Sequence, residues 1–361
     1  MLNREEGPVR LGVVGLGMGA FLGTWCRRLG MDVVAACDRD PIRRAEAAEH
    51  LPGVALVDEW EALLGLDLDG VVLANDFDEH APLAITFLDR GVHVLSEAAA
   101  CADEWQAAAL LAAERRSPAS YSFAENYVFH PHVELIRQAV AAGEVGRVTS
   151  IEADYLHGMS PDDVTALIGD PGHWRGRIAS TAYCTHTLSP ILALTGELPV
   201  EVTAFPVDTA DARSAVVMLV RLSGGGLAIS RHGFLQGEPD SHWSWVSVRG
   251  SEGLAESVRA PGARAWSVRV RREDWTGDAR DEEREPPRST LPDGTPIDPE
   301  AVGTVRILEG FRASIERGAA PLVPVGPAVA ASLVGVAGAR SLREGSRPVP
   351  MPPLRFEPVP G

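Results

Sequence analysis

The chain reads as an α/β protein in two parts. A doubly wound N-terminal half precedes a C-terminal α+β half with a large open, mostly antiparallel sheet. Three observations predict this. Over roughly the first 125 residues, short apolar runs alternate with amphipathic segments, the pattern of repeated βα units around a parallel sheet. A glycine-rich turn, Gly15-Leu16-Gly17-Met18-Gly19-Ala20, closes the first apolar run. From about residue 148 the period changes to strand-like alternation, which suits a sheet wet on one face. The expected domains are 1–125 and 126–361.

In the first half, the apolar runs 9–14, 32–37, 70–74, 92–95 and 119–123 read as buried strands. Segments 41–50, 79–90 and 103–116 carry helical patterning. Asp40-Pro41 supplies an N-cap followed by a first-turn proline, and Asp103 can cap the third of these helices. In the second half, 132–142 reads as a helix ending at Gly143. Strand-like runs follow at 148–156, 200–207, 215–222, 226–231, 243–249 and 264–270, with one helix at about 181–195. The charged, proline-rich tract 272–297 reads as an exposed loop. Helices at about 299–317 and 327–344 close the chain.

Composition narrows the function classes. The 361 residues suffice for two domains, and 45% hydrophobic with 23% charged residues is a globular profile. A net charge of -17 opposes binding to nucleic acid or to an anionic membrane. No stretch of about 20 residues is free of charges and turn-formers, so no transmembrane helix is expected. The first eight residues lack an apolar signal-peptide core, so the expected compartment is the cytoplasm. Cys26, Cys37, Cys101 and Cys184 are scattered and form neither a disulfide framework nor a metal-ligand spacing. There is no lysine: all 33 basic residues are arginine. That excludes Schiff-base chemistry, a phosphate-binding lysine and any lysine acid or base.

The glycine turn lies where a strand opens into a helix. Gly15 permits the tight turn, and Gly17 lets the backbone approach a pyrophosphate. Met18 and Gly19 open the helix, and Ala20 sits where helix and strand must pack closely. A phosphate would rest on the helix N-terminus. Asp38 ends the next strand about 20 residues on, placed to accept hydrogen bonds from a ribose 2′-hydroxyl. Together these features predict a Rossmann dinucleotide-binding domain that takes NAD. Arg39 complicates the choice, because an adjacent guanidinium can hold the 2′-phosphate of NADP.

Beyond the glycine turn, the sequence resembles the Gfo/Idh/MocA oxidoreductases. The likeness rests on AACDRDP at 35–41, NDFDEH at 75–80, DRGVHVLSE at 89–97, AENYVFHP at 124–131, AAGEVGRV at 141–148, HWR at 173–175 and YCTH at 183–186. It spans at least residues 9–200, with weaker agreement later, as in VSVRGSEGLAES at 246–257. The resemblance implies hydride transfer between NAD(P) and a hydroxyl carbon of a sugar or cyclitol. It also implies a homodimer or homotetramer built through the C-terminal sheet. Two usual features are missing. Family dehydrogenases carry Glu-Lys-Pro after the fifth strand, where this chain has Glu97-Ala98-Ala99, and the usual Asp four residues before the active-site histidine is Ala182. The retained residues look more like the NAD-dependent glycosidase branch, typified by α-N-acetylgalactosaminidases. That likeness implies a reaction in which the sugar is oxidised at C3 transiently, the leaving group is eliminated, water is added and the ketone is reduced again.

The candidate site follows from both lines. His186 and Tyr183 lie three apart on a helical segment, so they share a face. His186 is the expected base for a sugar hydroxyl and Tyr183 its partner. Tyr155 and His157 lie two apart on a strand, and one of them could serve as acid/base in an elimination. Arg175 and Trp174, in a glycine-flanked loop, suit recognition of a sugar ring or an anionic group. The resemblance places His80, Asn75 and Glu97 near the cofactor, and Glu125 and Asn126 at the domain crossover, where relatives touch cofactor or substrate. His130 and His132, with proline between them and no third ligand nearby, read as surface or helix-start histidines rather than a metal pair. Trp243 and Trp245 read as one strand face packing at a core or oligomer interface. The expected activity is an NAD-dependent oxidation at a secondary hydroxyl of a sugar, glycoside or sugar-like natural product. The alternatives are a redox-neutral glycosidase and a non-catalytic NAD-binding regulator.

Overall fold

The computed structural model describes residues 7–208, 215–234, 242–263 and 265–353. The chain divides into two compact units. The first holds β1 (Arg10–Val14), α1 (Met18–Arg28), β2 (Asp32–Cys37), α2 (Pro41–His50), β3 (Ala55–Val57), β4 (Gly70–Leu73), α3 (His80–Leu88), β5 (His93–Ser96), α4 (Glu104–Arg116) and β6 (Tyr121–Phe123). Its six strands pair in the order β3-β2-β1-β4-β5-β6, all parallel. This is the dinucleotide-binding order, with its reversal between β1 and β4. β4 and β6 are buried along their whole length, as expected for strands covered on both faces. Both predicted caps form: Asp40 accepts from the Ile42 N–H at 2.8 Å and Asp103 from the Gln106 N–H at 2.7 Å.

The second unit contains α5 (Pro131–Ala141), β7 (Val148–Leu156), α6 (Pro161–Ile168), α7 (Trp174–Arg177), α8 (Thr185–Thr195), β8 (Pro199–Pro206), β9 (Ala215–Leu222), β10 (Leu227–Gly233), β11 (Val246–Gly250), β12 (Gly253–Val258), β13 (Ser267–Arg272) and β14 (Arg280–Arg284). The chain then continues through α9 (Val302–Arg317), α10 (Val325–Arg343) and β15 (Val349–Pro350). Among the described residues, the second sheet has nine strands in the order β14-β13-β12-β11-β7-β10-β9-β8-β15, of which only β7–β10 is a parallel pair. Ile151, Ala153, Val216, Met218, Val220 and Ala228 pack one face of this sheet into a core with Leu188 and Ile191 of α8 and Ile136 of α5. Tyr155 continues the buried register of Ile151 and Ala153, and pairs directly with His232 of β10.

The structure corrects the sequence reading in particular places. Residues 304–329 belong to the first unit, not to the C-terminal domain. Phe311 of α9 is buried under Gly70, where an added Cβ would lie 2.8 Å from its ring, and Arg312 donates to the Leu29 carbonyl at 2.9 Å. The boundary between the units falls within α10. The tract read as loop contains β14, held to β13 by a bidentate Arg269–Asp281 pair at 2.8 and 2.5 Å. Every residue of β14 is charged, so no apolar alternation marked it. α10 is long and apolar enough to cross a membrane by length and composition, and 72% of its most apolar window is buried inside the fold.

Candidate functional site

In the first unit the glycine turn is built for backbone approach. Gly15 has φ 86°, and a Cβ there would lie 2.3 Å from the Ala74 carbonyl oxygen. Only glycine fits both the angle and the space. Gly19 packs on Val13, where a Cβ would come within 2.8 Å, and Ala20 is buried. Gly17 caps α1 with no side-chain partner, so the first-turn N–H groups stay available to an anion. Met18 opens the helix and is exposed. Asn75 contributes a buried Oδ1 that has no hydrogen-bond partner among the described residues. An orphaned acceptor beside a glycine-only cradle fits the polar face of a dinucleotide. Gly15→Ala is expected to abolish NADH binding, read by nucleotide fluorescence, and to cost about 1–3 kcal/mol of stability.

Asp38 follows β2 and is already engaged. Its carboxylate accepts from the Leu16 N–H at 2.7 Å and from the Asp40 N–H at 2.9 Å. Arg39 does not project freely, because its Nη2 donates to Glu79 Oε2 at 2.8 Å. His80 is buried, with Nδ1 3.0 Å from the Ala99 carbonyl and Nε2 3.2 Å from the Asn75 carbonyl. Burial lowers its pKa, against the two carbonyls that would favour the charged ring. Glu97 follows β5, half-buried, and accepts from the Ala98 N–H at 3.3 Å.

The second unit gathers most of the other predicted residues around one imidazole. α8 begins at Thr185, which sets His186 in its first turn. His186 Nδ1 lies 3.0 Å from Glu125 Oε1. Glu125 is buried, and its second oxygen, Oε2, has no hydrogen-bond partner among the described residues. The carboxylate fixes the proton on Nδ1 and leaves Nε2 as an acceptor. Tyr127 stacks on the His186 ring at 4.7 Å, and Tyr155 lies against it at 4.5 Å. Tyr155 also packs edge-on to His157 at 4.6 Å and parallel to Tyr183 at 6.0 Å. Burial pushes His157 down to about 4, and the neighbouring His186 ring adds to the cost of a second cation there, so His157 is neutral at pH 7. Its buried Nε2 has no hydrogen-bond partner among the described residues.

Tyr183 differs in detail from its expected role. Its hydroxyl accepts from Arg175 Nε at 3.3 Å, while the hydrogen-bond partner of His186 is Glu125. Burial raises the Tyr183 pKa, and Arg175 opposes that shift. Arg175 and Trp174 sit on the helical turn α7 rather than in a loop, with the guanidinium 4.5 Å over the indole ring. Asn126 begins a 3-10 turn over Asn126–Phe129, and its carbonyl crowds Gly303, where a Cβ would lie 2.3 Å away.

His130 and His132 stand at the start of α5, as one of the two alternatives had it, but neither is a surface residue. Both are buried, His130 against the Ser244 hydroxyl at 2.6 Å and His132 against the Ser244 carbonyl at 2.7 Å. Trp243 and Trp245 precede β11 instead of forming its face. Trp243 packs edge-on to Tyr127, and Trp245 stacks on His242. Sequence reasoning missed Tyr127, although it lies within the AENY run. It also missed Arg43, whose Nη1 would lie 3.1 Å from a Cβ on Gly17, and Glu79, the partner of Arg39. The spacing from Pro41 puts Arg43 in the first turn of α2, which was the available signal.

Comparison with known proteins adds a second line. The oxidoreductase family with NAD-binding Rossmann fold matches residues 9–124, and the GFO/IDH/MocA C-terminal domain matches residues 133–256. A glycosyl hydrolase family 109 protein of Stenotrophomonas maltophilia is 31% identical over 180 residues, covering 45% of this chain and 38% of its own length. Inositol 2-dehydrogenase 4 of Saccharopolyspora erythraea is 29% identical over 173 residues, covering 46% of this chain and 50% of its own. The chain thus spans half or less of these curated relatives. A levoglucosan dehydrogenase solved with NADH and levoglucosan shares the fold, with TM-score 0.81 at 17% identity over 96% of this chain and 100% of that one.

Proposed function

The chain belongs to the Gfo/Idh/MocA oxidoreductase family, with an NAD-binding first unit, and we propose that it oxidises a secondary hydroxyl of a sugar, glycoside or sugar-like natural product. One observation carries this reading. The pair of buried Glu125 and partly buried His186 supplies a proton acceptor in a chain that has no lysine. Removing a hydride from a carbinol carbon needs a base for the hydroxyl proton. His186 Nε2 takes that proton, and Glu125 holds the tautomer and offsets the positive charge that forms on the ring. Tyr127 and Tyr155 fix the ring plane. Arg175, with Trp174 beneath it and Tyr183 on its Nε, binds the sugar through its remaining donors. NAD, held by Gly15, Gly17 and Asp38, supplies the hydride acceptor and donor when bound.

A second reading rests on His157. A neutral imidazole with a buried, unpartnered nitrogen, 4.6 Å from Tyr155, offers a second base beside the first. Once a sugar carbon is a ketone, the adjacent C–H becomes acidic, and such a base can remove it as a leaving group departs from the next carbon. That supports a redox-neutral cleavage of a glycoside, and the Stenotrophomonas relative is named as a glycosyl hydrolase. In either reading, assembly through the open face of the nine-stranded sheet is part of the proposal, supported by half-exposed Val217, Leu219, Leu227 and Ile229.

The test incubates the protein with NAD and a panel of nitrophenyl glycosides and free sugars, following nitrophenol and NADH separately. NADH rising without nitrophenol is the expected result. NAD-dependent nitrophenol release without NADH would move the assignment to the redox-neutral reaction. Silence in both channels across the panel, with NADH bound, would favour a non-catalytic regulator.

A further inference from the structure

We propose that Glu79 determines the choice of NAD over NADP by holding Arg39 in an ion pair. The inference rests on the NAD-binding assignment and is independent of the substrate. Arg39 follows Asp38 directly, where a free guanidinium would receive the 2′-phosphate that distinguishes NADP. Its Nη2 instead donates to Glu79 Oε2 at 2.8 Å.

The position of Glu79 is set by its backbone. It ends a short 3-10 turn over Phe77–Glu79, anchored by the buried Phe77. The Glu79 N–H donates to the Asp76 carbonyl at 3.0 Å, and Gln106 Nε2 donates to the Asp78 carbonyl at 3.0 Å. The next residue, His80, is buried and held between two carbonyls. On the other side, Arg44 Nη1 donates to the Asp38 and Arg39 carbonyls at 2.6 and 3.0 Å, fixing the backbone that carries Arg39. Asp76 and Glu59 add to the acidic field around the guanidinium. A 2′-phosphate would have to displace Glu79 from Arg39 and enter that field. The ribose hydroxyl of NAD faces neither demand.

Both side chains are exposed, Arg39 by 61% and Glu79 by 41%, so their replacement leaves the core untouched. The test titrates NADH and NADPH by fluorescence at low salt against wild type, Glu79→Gln and the double variant Glu79→Gln/Arg39→Ala. Glu79→Gln is expected to tighten NADPH binding about three- to tenfold, with NADH within about twofold of wild type. The double variant is expected to lose that gain. An unchanged NADPH-to-NADH ratio in Glu79→Gln, or a gain that survives removal of Arg39, overturns the proposal. Wild-type protein that binds neither nucleotide overturns the NAD-binding assignment on which it stands.

Discussion

Replacing His186 by alanine is expected to lower kcat/KM for any sugar the wild type oxidises by about 10²–10⁴-fold, the range for loss of a positioned general base. NADH binding should be unchanged, because the glycine turn, Asp38 and Asn75 lie in the first unit and are untouched. Glu125→Gln separates orientation from charge. Glutamine can still accept from His186 Nδ1, but it no longer offsets the charge that develops on the ring. The expected result is a roughly 10–100-fold fall in kcat, with the acid limb of the pH profile moved to lower pH, since the base loses its anionic partner. A merely structural role for Glu125 would change KM or stability and leave the pH profile in place.

The second large effect is acid sensitivity. Burial pushes His132 and His232 down to about 4, and lowers His80 and His130 as well. In the unfolded chain each titrates near ~6.5. Between those values the unfolded state binds more protons, so the stability these groups contribute is complete above about pH 6.5 and drains as pH falls toward 4. At pH 5 the loss is on the order of 1–2 kcal/mol each for His132 and His232. From these two alone the thermal midpoint should fall by roughly 3–5 °C between pH 7 and pH 5, and His80 and His130 act in the same direction. Scanning calorimetry across that range checks the account, and a midpoint that stays flat between pH 7 and pH 5 contradicts it. His232 is informative because its Nδ1 joins Ser230 and Thr187 in a buried chain beneath α8. Its replacement by asparagine should reduce the slope of stability against pH.

The parts of the fold readable in the sequence were those where local physics constrains residue type. Gly15 must be glycine because its angle and the Ala74 carbonyl forbid a side chain. Asp40 and Asp103 announce helix starts because a cap needs a short acceptor. What escaped depends on residues distant in the chain. Glu125 and His186 are 61 positions apart, and the sequence gives each a role without pairing them. The histidines at 130 and 132 look solvent-facing until Ser244, more than 110 residues on, supplies the partner that lets them be buried. α9 was visible as an amphipathic helix, but amphipathicity does not say which core it covers. β14 was hidden because cross-strand charge pairs, not apolar alternation, hold that edge.

A single-turnover experiment reads the hydride transfer that accompanies proton removal by His186. Enzyme loaded with NAD would be mixed with a panel sugar that it consumes, and nicotinamide absorbance followed through one turnover. Reduced nicotinamide should form in the wild type, persisting for a net oxidation and decaying for a redox-neutral reaction, and should be lost in His186→Ala. Product formed by the wild type with no reduced nicotinamide at any time, or an undiminished signal in His186→Ala, would contradict the account.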